Sequence, residues 1–531
     1  MWNPGQARGK STTLHRRLAG RVVLLGGLLA ALVVGSTYAA LPTVRKDDAK
    51  AADAAAAGTP SHAPSGNDNK TNGFETQKEF DADRGGFEET EKLEDGKVGP
   101  VYNATSCAAC HQNPVTGAAS QIAEIRAGRR VPDPNDPNPK KVVFQEAPGG
   151  SVIQQRAIDP KDQESVPPED DVRTFRLSTN ILGDGFIEVL TDQQILNLRV
   201  NQRKHGMEGF PVVVKVPVSR NDKVGEKKYD FNFTERIGRF GWKSQHASLL
   251  GFSADAYLNE MGITSPLQKD ELTSLGRVIK PYDPTKGAED VDVDPMTMTP
   301  RPFGVDVEKF TRFMRSTGVP PVDATVDVSA GKALFLDNAK LGCAVCHHPQ
   351  FITPPAGTKI LTLHGKRGSD RETVSPAHGN KIIRPYSDFM LHDIGTGDGI
   401  AQSDHIGLRP LNYRDEKVDR LEDALRKTEG IGRVVGEPID KEKGPASAHR
   451  VVPDLEITAN APNLDQRTAY KMRTAPLWGL RSRPQLMHDG LSLTLEDAIR
   501  RHRGQADGVR LKFEALTDAE KKQLLGFLKS L

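Results

Sequence analysis

Cysteine is scarce in this chain of 531 residues, which contains only four. All four fall in two pentapeptides, residues 107–111 and 343–347, and both pentapeptides read C-x-x-C-H. No cysteine is left over for a structural disulfide or for a second cysteine pair at a zinc site. The scarcity therefore excludes a disulfide-rich scaffold and directs attention to the two motifs.

Aromatic residues and net charge are also low. Aromatics make up 6% of the chain, and 72 basic residues against 70 acidic ones leave a net charge of +2. This balance offers no global field for binding nucleic acid or an anionic membrane surface. Glycine and proline are plentiful, at 49 and 36 residues. Such a composition suits a loop-rich helical protein wrapped around cofactors better than one with a large aromatic core.

The apolar run at residues 22–34 is short for a membrane span, which needs about 20 apolar residues. Basic residues precede it, and small residues at 37–39 offer an A-x-A-like cleavage site. We therefore expect residues 1–40 to be an export signal peptide, with an uncleaved membrane anchor as the alternative. Residues 41–72 are poor in large apolar groups and predict a disordered linker.

The two C-x-x-C-H motifs are the strongest chemical signal in the sequence. The motif attaches a c-type haem: both thiols bond covalently to the haem vinyl groups, and the histidine ligates the iron. A redox or zinc-binding C-x-x-C followed by chance by histidine is the weaker interpretation, because both motifs carry the histidine at the same offset. We predict two covalent haem c groups, held by Cys107, Cys110 and His111 and by Cys343, Cys346 and His347.

Local patterns predict a mainly α fold with long loops and one small β-hairpin. Residues 211–218 and 229–234 have the composition and alternation of the two hairpin strands. Thr517 to Glu520 form a capping box for a last helix, and Thr494 is the predicted N-cap of the helix before it. On that helix, one face carries Leu495, Ala498, Ile499 and His502.

An acidic, proline-containing stretch at residues 281–302 separates two predicted domains. Its residues Asp290, Asp292 and Asp294 could bind calcium, but a solvated interdomain loop is the simpler interpretation. With the boundary near residue 300, we predict an N-terminal haem domain at 73–300 and a C-terminal one at 301–531.

These motifs resemble the di-haem cytochrome c peroxidase superfamily, in particular its thiol-oxidoreductase or di-haem oxidoreductase branch. The resemblance covers roughly residues 75–531 and implies two cytochrome c-like, mostly helical haem domains. The matching segments are residues 99–103, 183–188, 238–243, 259–264, 331–335, 343–351, 391–395, 473–481 and 487–490.

For the C-terminal haem, the resemblance implies a second iron ligand on the helix after the His-Asp-Gly motif. The corresponding position is His502, which already lies on the predicted helical face. We expect His347 and His502 to ligate this iron from opposite sides, with Met487 as the competing ligand. The alternative for His502 is a core or surface histidine. A His/His pair predicts a lower reduction potential than His/Met.

For the N-terminal haem, the resemblance implies a distal acid that moves a proton during O–O bond cleavage. It lies in a Glu-Met-Gly segment, which corresponds to Glu260 here; a solvent-exposed helix-end Glu is the alternative. The branch commonly has Gln nine residues before Met261, where this chain has Phe252, and this departure argues against full peroxidase competence. His246 could ligate this iron, although a surface position is the simpler interpretation.

Trp242 resembles the tryptophan that lies between the haems in the superfamily and could relay electrons, with core packing as the alternative. The pairs His392–Asp393 and His488–Asp489 look like residues that orient iron ligands or contact haem propionates.

We therefore expect an exported, periplasmic oxidoreductase, peroxidase-like, that takes electrons from a small redox protein such as a cytochrome c or a cupredoxin. Electrons would pass through the C-terminal haem to the N-terminal haem, where peroxide or another small oxidant reacts. The main alternative is an electron-transfer cytochrome without a catalytic site. A third is oxidation of a partner protein's side chains, as in the related enzyme that matures methylamine dehydrogenase, but that enzyme has Tyr at the position of His502.

Overall fold

The computed structural model describes most of the chain after residue 58. The described residues are 59–92, 98–223, 228, 230–277, 279, 291, 293–294, 296–360, 373–403 and 464–531. The predicted signal peptide or anchor at residues 1–40 lies outside them, as do Asp290 and Asp292 of the calcium hypothesis. Among the described residues, no helix has the length and apolar character that a membrane crossing requires.

Helices in the described residues are short, and three of them start with a capping box, at Thr76, Thr191 and Thr517. The helices are α1 Gln77–Glu88, α2 Asp184–Glu188, α3 Asp192–Arg203, α4 Leu249–Met261, α5 Val305–Ser316, α6 Ser329–Leu336, α7 Leu495–Arg500, α8 Asp507–Glu514 and α9 Asp518–Ser530.

The described part contains fifteen strands, which form several small sheets. They are β1 Ser61–His62, β2 Val101–Tyr102, β3 Ala123–Pro132, β4 Val142–Glu146, β5 Val152–Ile153, β6 Arg156–Ala157, β7 Val172–Leu177, β8 Val213–Arg220, β9 Phe231–Ile237, β10 Phe351–Ile352, β11 Lys381–Ile383, β12 Leu391–His392, β13 Gln402–Ser403, β14 Leu464–Asp465 and β15 Met472–Arg473. The largest sheet places β3 antiparallel to β4, β5 and β7.

The prediction of a mainly α fold is wrong, because helices share the chain with these sheets. The long strand β3 was not among the predicted strands. Residues 123–127 alternate apolar and polar side chains, but Gly128 and the two consecutive arginines after it interrupt the pattern. The polar face is also largely buried at Glu124 and Arg126, unlike that of a half-solvated strand.

Several local predictions are confirmed. Strands β8 and β9 pair antiparallel as a hairpin, the Thr517 capping box starts α9, and Thr494 caps α7. Helix α4 ends at Met261, as the sequence predicted. Helix α7 is shorter than expected and ends at Arg500, so His502 follows the helix instead of lying within it.

The predicted disorder of residues 41–72 is wrong for the part that the structure describes. Strand β1 pairs in parallel with β11, and Ala63 is buried. Asn72 donates two hydrogen bonds, to the backbone carbonyls of Arg315 and Thr317. Backbone pairing with distant strands orders this segment, although its own sequence offers few apolar side chains.

Two apolar clusters form most of the core of residues 56–531, which make one compact unit. The larger cluster draws on α1, α4 and α5 but also includes Phe389 and Trp478, from beyond residue 300. The smaller one joins Phe335 of α6 to Phe527 of α9, whose rings lie 5.3 Å apart. Because the larger cluster joins residues from both sides of residue 300, the core does not mark a domain boundary there. The boundary stays a prediction.

Candidate haem sites

Each C-x-x-C-H motif opens onto its own cavity. The first cavity, about 260 Å³ in volume, is lined by Cys107, Cys110 and His111; we call it the N-terminal cavity. The second, about 220 Å³, is lined by Cys343, Cys346 and His347 and is called the C-terminal cavity. Because the two cysteine pairs line different cavities, they do not form a shared four-cysteine metal site.

The C-terminal cavity brings together the two histidines that the sequence proposed as iron ligands. The backbone turn at Cys343–Val345 directs both cysteines and His347 into the cavity, and His502 lies on its opposite wall. The ring nitrogen Nδ1 of His347 lies 3.0 Å from the carbonyl oxygen of Tyr386, and that of His502 lies 2.7 Å from the carbonyl oxygen of Ala498. Each Nδ1–H can therefore donate to a carbonyl, which leaves Nε2 free to ligate a metal.

The spacing of the two rings matches a single metal ion held between them. The ring centroids of His347 and His502 are 6.4 Å apart. Two imidazole–metal bonds of about 2 Å each account for about 4 Å of this separation, and the rest is about the distance from each nitrogen to its ring centre. Burial lowers the pKa of His347 to about 4 and also lowers that of His502. Both rings are therefore neutral, as ligation requires.

Met487 and His392 also line the C-terminal cavity. Met487 lies in a turn, with a φ of +67°. His392 is held by Asp388 at 2.7 Å and by Gln505 at 3.0 Å. These bonds orient the imidazole of His392 beside the haem-attachment cysteines and away from the space between the two proposed ligands.

His488 and Asp489 make different contacts. The His488 ring is buried in the cavity wall, and its centroid lies 6.1 Å from the centroid of the Trp242 ring. The Asp489 carboxylate instead forms an ion pair with Arg501, one residue before His502. This ion pair ties the turn at Met487 to the end of α7 and so helps to place His502.

In the N-terminal cavity, His111 follows a backbone turn at Cys107–Ala109 that the Ser106 hydroxyl caps. Burial lowers the pKa of His111 to about 4, so its imidazole is neutral. Glu260, at the end of α4, lines the same cavity, and the Asn103 side chain donates to its carboxyl at 2.9 Å. The structure therefore brings together His111 and Glu260, two residues 149 positions apart in the sequence.

A second carboxyl group, which the sequence did not reveal, faces Glu260. Glu124 of β3 lines the cavity, is hydrogen-bonded to Glu260 and forms an ion pair with Arg126 at 2.7 Å. Burial and the negative charge of Glu124 raise the pKa of Glu260 well above its usual range. Burial also opposes ionisation of Glu124, but the charge and hydrogen bonds of Arg126 outweigh it and lower the pKa of Glu124.

The two glutamates therefore differ in protonation: Glu260 is a proton donor and Glu124 is an anion. Glu260 carries the proton and donates it in a hydrogen bond to ionised Glu124. Two carboxyl groups whose pKa values are driven apart are the usual basis of acid–base catalysis in enzymes. No motif signals Glu124 or Arg126, because both lie in a strand that resembled a loop.

Two other sequence predictions about this cavity have clear outcomes. Phe252 lines the cavity at the position where the superfamily commonly has Gln. His246 is buried rather than exposed, with its Nε2 3.0 Å from the Asp255 carboxylate, so the surface interpretation is wrong. His246 is not among the residues that line the described cavity.

Trp242 lies between the two cavities and lines both. Its indole N–H donates to the carbonyl oxygen of Leu177 at 2.7 Å, which fixes the ring. Leu177 also lines both cavities, as do Ser178 and Thr179. The residues shared by the two linings are therefore the last residue of β7, the two residues that follow it, and Trp242.

The donor set of both cavities fits a c-type haem. Each cavity supplies two thiols and a neutral histidine at the motif spacing, and the C-terminal cavity supplies a second neutral histidine facing the first. The family comparison agrees with this chemistry. Residues 130–407 and 462–531, more than half of the chain, match the family described as "Di-haem oxidoreductase, putative peroxidase". The chain belongs to the di-haem oxidoreductase family.

Membership of this family identifies haem as the cofactor of the protein. The matched residues include the second C-x-x-C-H motif, whereas the first lies before them. Among solved structures, hydrazine synthase of Kuenenia stuttgartiensis is similar at 18% identity and a TM-score of 0.20, over 44% of this chain and 58% of that chain. This chain thus spans less than two thirds of that one, and so low a score supports no argument. A comparison with curated proteins found no match.

Proposed function

We propose that this di-haem oxidoreductase is a peroxidase-like enzyme in which the N-terminal cavity is the reaction site. The observation that carries the proposal is the Glu260–Glu124 pair, which places a protonated carboxylic acid at the wall of the cavity that contains His111. An electron-transfer cytochrome has no need for such an acid. Haem, when bound, supplies one-electron redox chemistry and an iron that a small oxidant can approach.

Both haems are attached covalently in this proposal. Cys107 and Cys110 form thioethers in the N-terminal cavity, and Cys343 and Cys346 do so in the C-terminal cavity. His111 would hold the first iron, and His347 and His502 would together hold the second. The 6.4 Å separation of the two rings supports this assignment. The C-terminal cavity would then hold the haem that supplies electron storage and transfer, and the N-terminal cavity would admit the oxidant.

Glu260 is the proposed acid–base group, and Glu124 and Arg126 position its proton. Glu260 moves a proton at the peroxide oxygens while the O–O bond breaks, a contribution typically worth about 10²–10⁴ in rate. Glu124 accepts the hydrogen bond that holds this proton, and Arg126 keeps Glu124 ionised. Phe252 lines this cavity where related enzymes commonly have Gln, so in this proposal the proton-transfer role rests on Glu260 and the charged pair on β3.

Electrons reach the N-terminal cavity from the C-terminal one through Trp242 in this proposal, since its ring lines both. The donor is a small redox protein such as a cytochrome c or a cupredoxin. The protein acts in the periplasm after export through residues 1–40, which fits covalent haem attachment; retention of those residues as a membrane anchor is the alternative. Calcium would bind near Asp294 if the acidic stretch ligates it.

A peroxide titration with electron paramagnetic resonance tests this function. In the half-reduced holoprotein the low-spin ferric signal of the C-terminal haem should be lost on reduction, and the N-terminal haem should give a high-spin ferric signal and react with hydrogen peroxide. Two low-spin haems in every redox state, with no spectral response to peroxide, would support the electron-transfer alternative instead. Pyridine haemochrome analysis should count two haems of the c type per chain; a count of zero would contradict covalent attachment at both motifs.

A further inference from the structure

The C-terminal cavity contains two arginines whose charge no described carboxylate neutralises. Arg473 and Arg483 both line the cavity, and Arg473 is only 7% exposed. The guanidinium groups form no ion pair with a carboxylate of any residue that the structure describes. Burial of a cation without a partner is strongly unfavourable. The two arginines therefore indicate that the cavity binds a negatively charged ligand.

Backbone carbonyls fix both guanidinium groups in place but supply no negative charge. Arg473 donates from Nη1 to the carbonyl of Arg239 at 3.1 Å. Arg483 donates from Nη2 to the carbonyls of Pro476 and Trp478, at 3.0 and 3.1 Å. The Nε atom of each arginine is buried and has no hydrogen-bond acceptor in the described structure. Each guanidinium group is thus held by backbone carbonyls at one of its nitrogens, and its Nε–H remains available to donate a hydrogen bond to a ligand.

The two carboxyl groups closest to these arginines cannot take the place of the missing anion. Burial raises the pKa of Asp184 to about 7, so Asp184 is only partly ionised at neutral pH. Asp388 acts on Arg473 from a distance and is already bound by His392 and Gln202. Burial lowers the pKa of both arginines to about 10, and both are still cations at neutral pH.

The N-terminal cavity differs in this respect. Two buried arginines line it, and each has its own carboxylate: Arg126 pairs with Glu124 and Arg176 pairs with Asp398, both at 2.7 Å. A third arginine of this lining, Arg156, is exposed to solvent. Among the described residues, largely buried arginines without a carboxylate partner therefore line the C-terminal cavity and not the N-terminal one.

We propose that Arg473 and Arg483 bind the propionate carboxylates of the haem attached at Cys343 and Cys346, an inference that rests on the proposed haem attachment there. A haem carries two propionates, and a guanidinium group suits a carboxylate because it can donate two parallel hydrogen bonds. The two positive charges stabilise the reduced haem relative to the oxidised one. They raise its midpoint potential and so counteract the lowering expected from two histidine ligands.

Spectroelectrochemical titration of the holoprotein tests this assignment. Arg473→Gln and Arg483→Gln should each shift the midpoint potential of the C-terminal haem to a lower value, while Arg473→Lys and Arg483→Lys, which keep the charge, should restore most of it. Arg500→Gln is the matched control, because Arg500 is exposed on α7 and already pairs with Glu496 and Glu514. Its midpoint potential should equal that of the wild type.

Resonance Raman spectroscopy of the wild type gives a second readout that requires no variant. The propionate bending mode of the C-terminal haem should have the frequency of a hydrogen-bonded carboxylate and should change in Arg473→Gln or Arg483→Gln. A mode typical of solvated propionates in the wild type would overturn the proposal, as would unchanged potentials in both glutamine variants. Loss of this haem in the glutamine variants but not in the lysine variants would support it.

The haemochrome count separates failure of this inference from failure of the haem assignment. A wild-type protein with two c-type haems and unaffected glutamine variants contradicts the arginine–propionate contact alone. A wild-type protein without haem at Cys343 and Cys346 contradicts the attachment on which the contact depends. Binding of chloride or another small anion between the arginines would overturn the assignment. In that case the midpoint potential would depend on salt concentration in the wild type, and Arg473→Gln and Arg483→Gln would each abolish this dependence.

Discussion

At the scale of single residues, burial decides which ionisable groups carry protons. Glu260 and Glu124 are chemically identical, yet Arg126 keeps Glu124 ionised, while burial and the negative charge of Glu124 keep Glu260 protonated. The imidazoles of His111 and His347 are neutral because burial opposes their charged form. The chemistry proposed for each cavity therefore depends on partners that lie far away in the sequence.

Replacement of Glu260 by Gln should remove the acid–base group and leave the cavity shape nearly unchanged. We expect peroxide turnover to fall by about 10²–10⁴, the usual contribution of a positioned acid or base. Stopped-flow kinetics with hydrogen peroxide measures this, and haem spectra of the resting protein serve as the control for intact haem binding. Turnover within about twofold of the wild type would be incompatible with a role for Glu260 in proton transfer.

Replacement of Glu124 by Gln should lower the pKa of Glu260. Removal of the negative neighbour makes ionisation of Glu260 easier, and Arg126 then acts on Glu260 without an intervening anion. The carbonyl stretch of a protonated carboxylic acid, followed by infrared difference spectroscopy, should disappear at a lower pH than in the wild type. Glu260→Gln should lack this band, which assigns it. An unshifted band in Glu124→Gln would show that the two carboxyl groups do not interact.

Replacement of His502 by Ala should convert the C-terminal haem from low-spin to high-spin, because one of its two histidine ligands is lost. The ring spacing of 6.4 Å between His347 and His502 is the basis for this expectation. His488→Ala is the matched control, since His488 is buried in the same cavity and is not a proposed ligand. An unchanged low-spin signal in His502→Ala would transfer the ligand role to another residue, such as Met487.

At the scale of elements, the packing of α6 against α9 depends on one glycine. A Cβ atom at Gly331 would lie 2.0 Å from the carbonyl oxygen of Gln523 on α9, so the two backbones must approach closely. Gly331→Ala should therefore destabilise the protein by about 1–3 kcal/mol or more through overpacking. Thermal unfolding measures the loss.

Gly526→Ala on α9 provides the matched comparison for Gly331→Ala. Nothing lies within 4 Å of a Cβ atom at Gly526, and alanine favours a helix over glycine by about 1 kcal/mol. We therefore expect Gly526→Ala to raise the unfolding temperature and Gly331→Ala to lower it. Equal effects of the two substitutions would show that helix propensity, and not the contact with Gln523, decides the outcome.

Elements with strong local signals could be predicted from the sequence, and elements built by distant contacts could not. The capping box at Thr517 and the alternation in β9 depend only on neighbouring residues, and both are present. Strand β3 was missed because its alternation is short, ending at Gly128, and because its order comes from pairing with β4, β5 and β7. Strand β1 was missed because its order comes from β11, about 320 residues away.

In the candidate sites, too, residues within a local motif could be predicted from the sequence, and residues defined by distant contacts could not. The thiols and first histidines follow from a five-residue motif. His502 was reached from the family resemblance and from an expected helical face, although the helix ends at Arg500, before His502. Glu124 could not be found in this way, since its role depends on a hydrogen bond to Glu260 across the cavity. Arg473 and Arg483 carry no local signal of the proposed propionate contact either; the proposal depends on their lack of an ion-pair partner among the described residues.

At the scale of the whole molecule, Trp242 is the single aromatic ring that lines both described cavities. Trp242→Phe should leave the absorption spectrum of each haem unchanged and slow electron transfer between them. Flash photolysis of a photoreducible partner can follow this step, with Trp478→Phe as a buried tryptophan control outside both linings. Transfer at the wild-type rate in Trp242→Phe would favour a role in packing alone.

The parallel pairing of β1 with β11 has a consequence for how the polypeptide reaches its native state. Ser61 emerges early during synthesis, yet its partner Lys381 emerges only after about 320 further residues. At about 5–20 residues per second, this delay is on the order of tens of seconds. The leading segment must therefore wait unpaired, and contacts of such long sequence separation form slowly. Closure of this strand is expected to be among the last folding events, after the segments that carry both cysteine pairs have been synthesised.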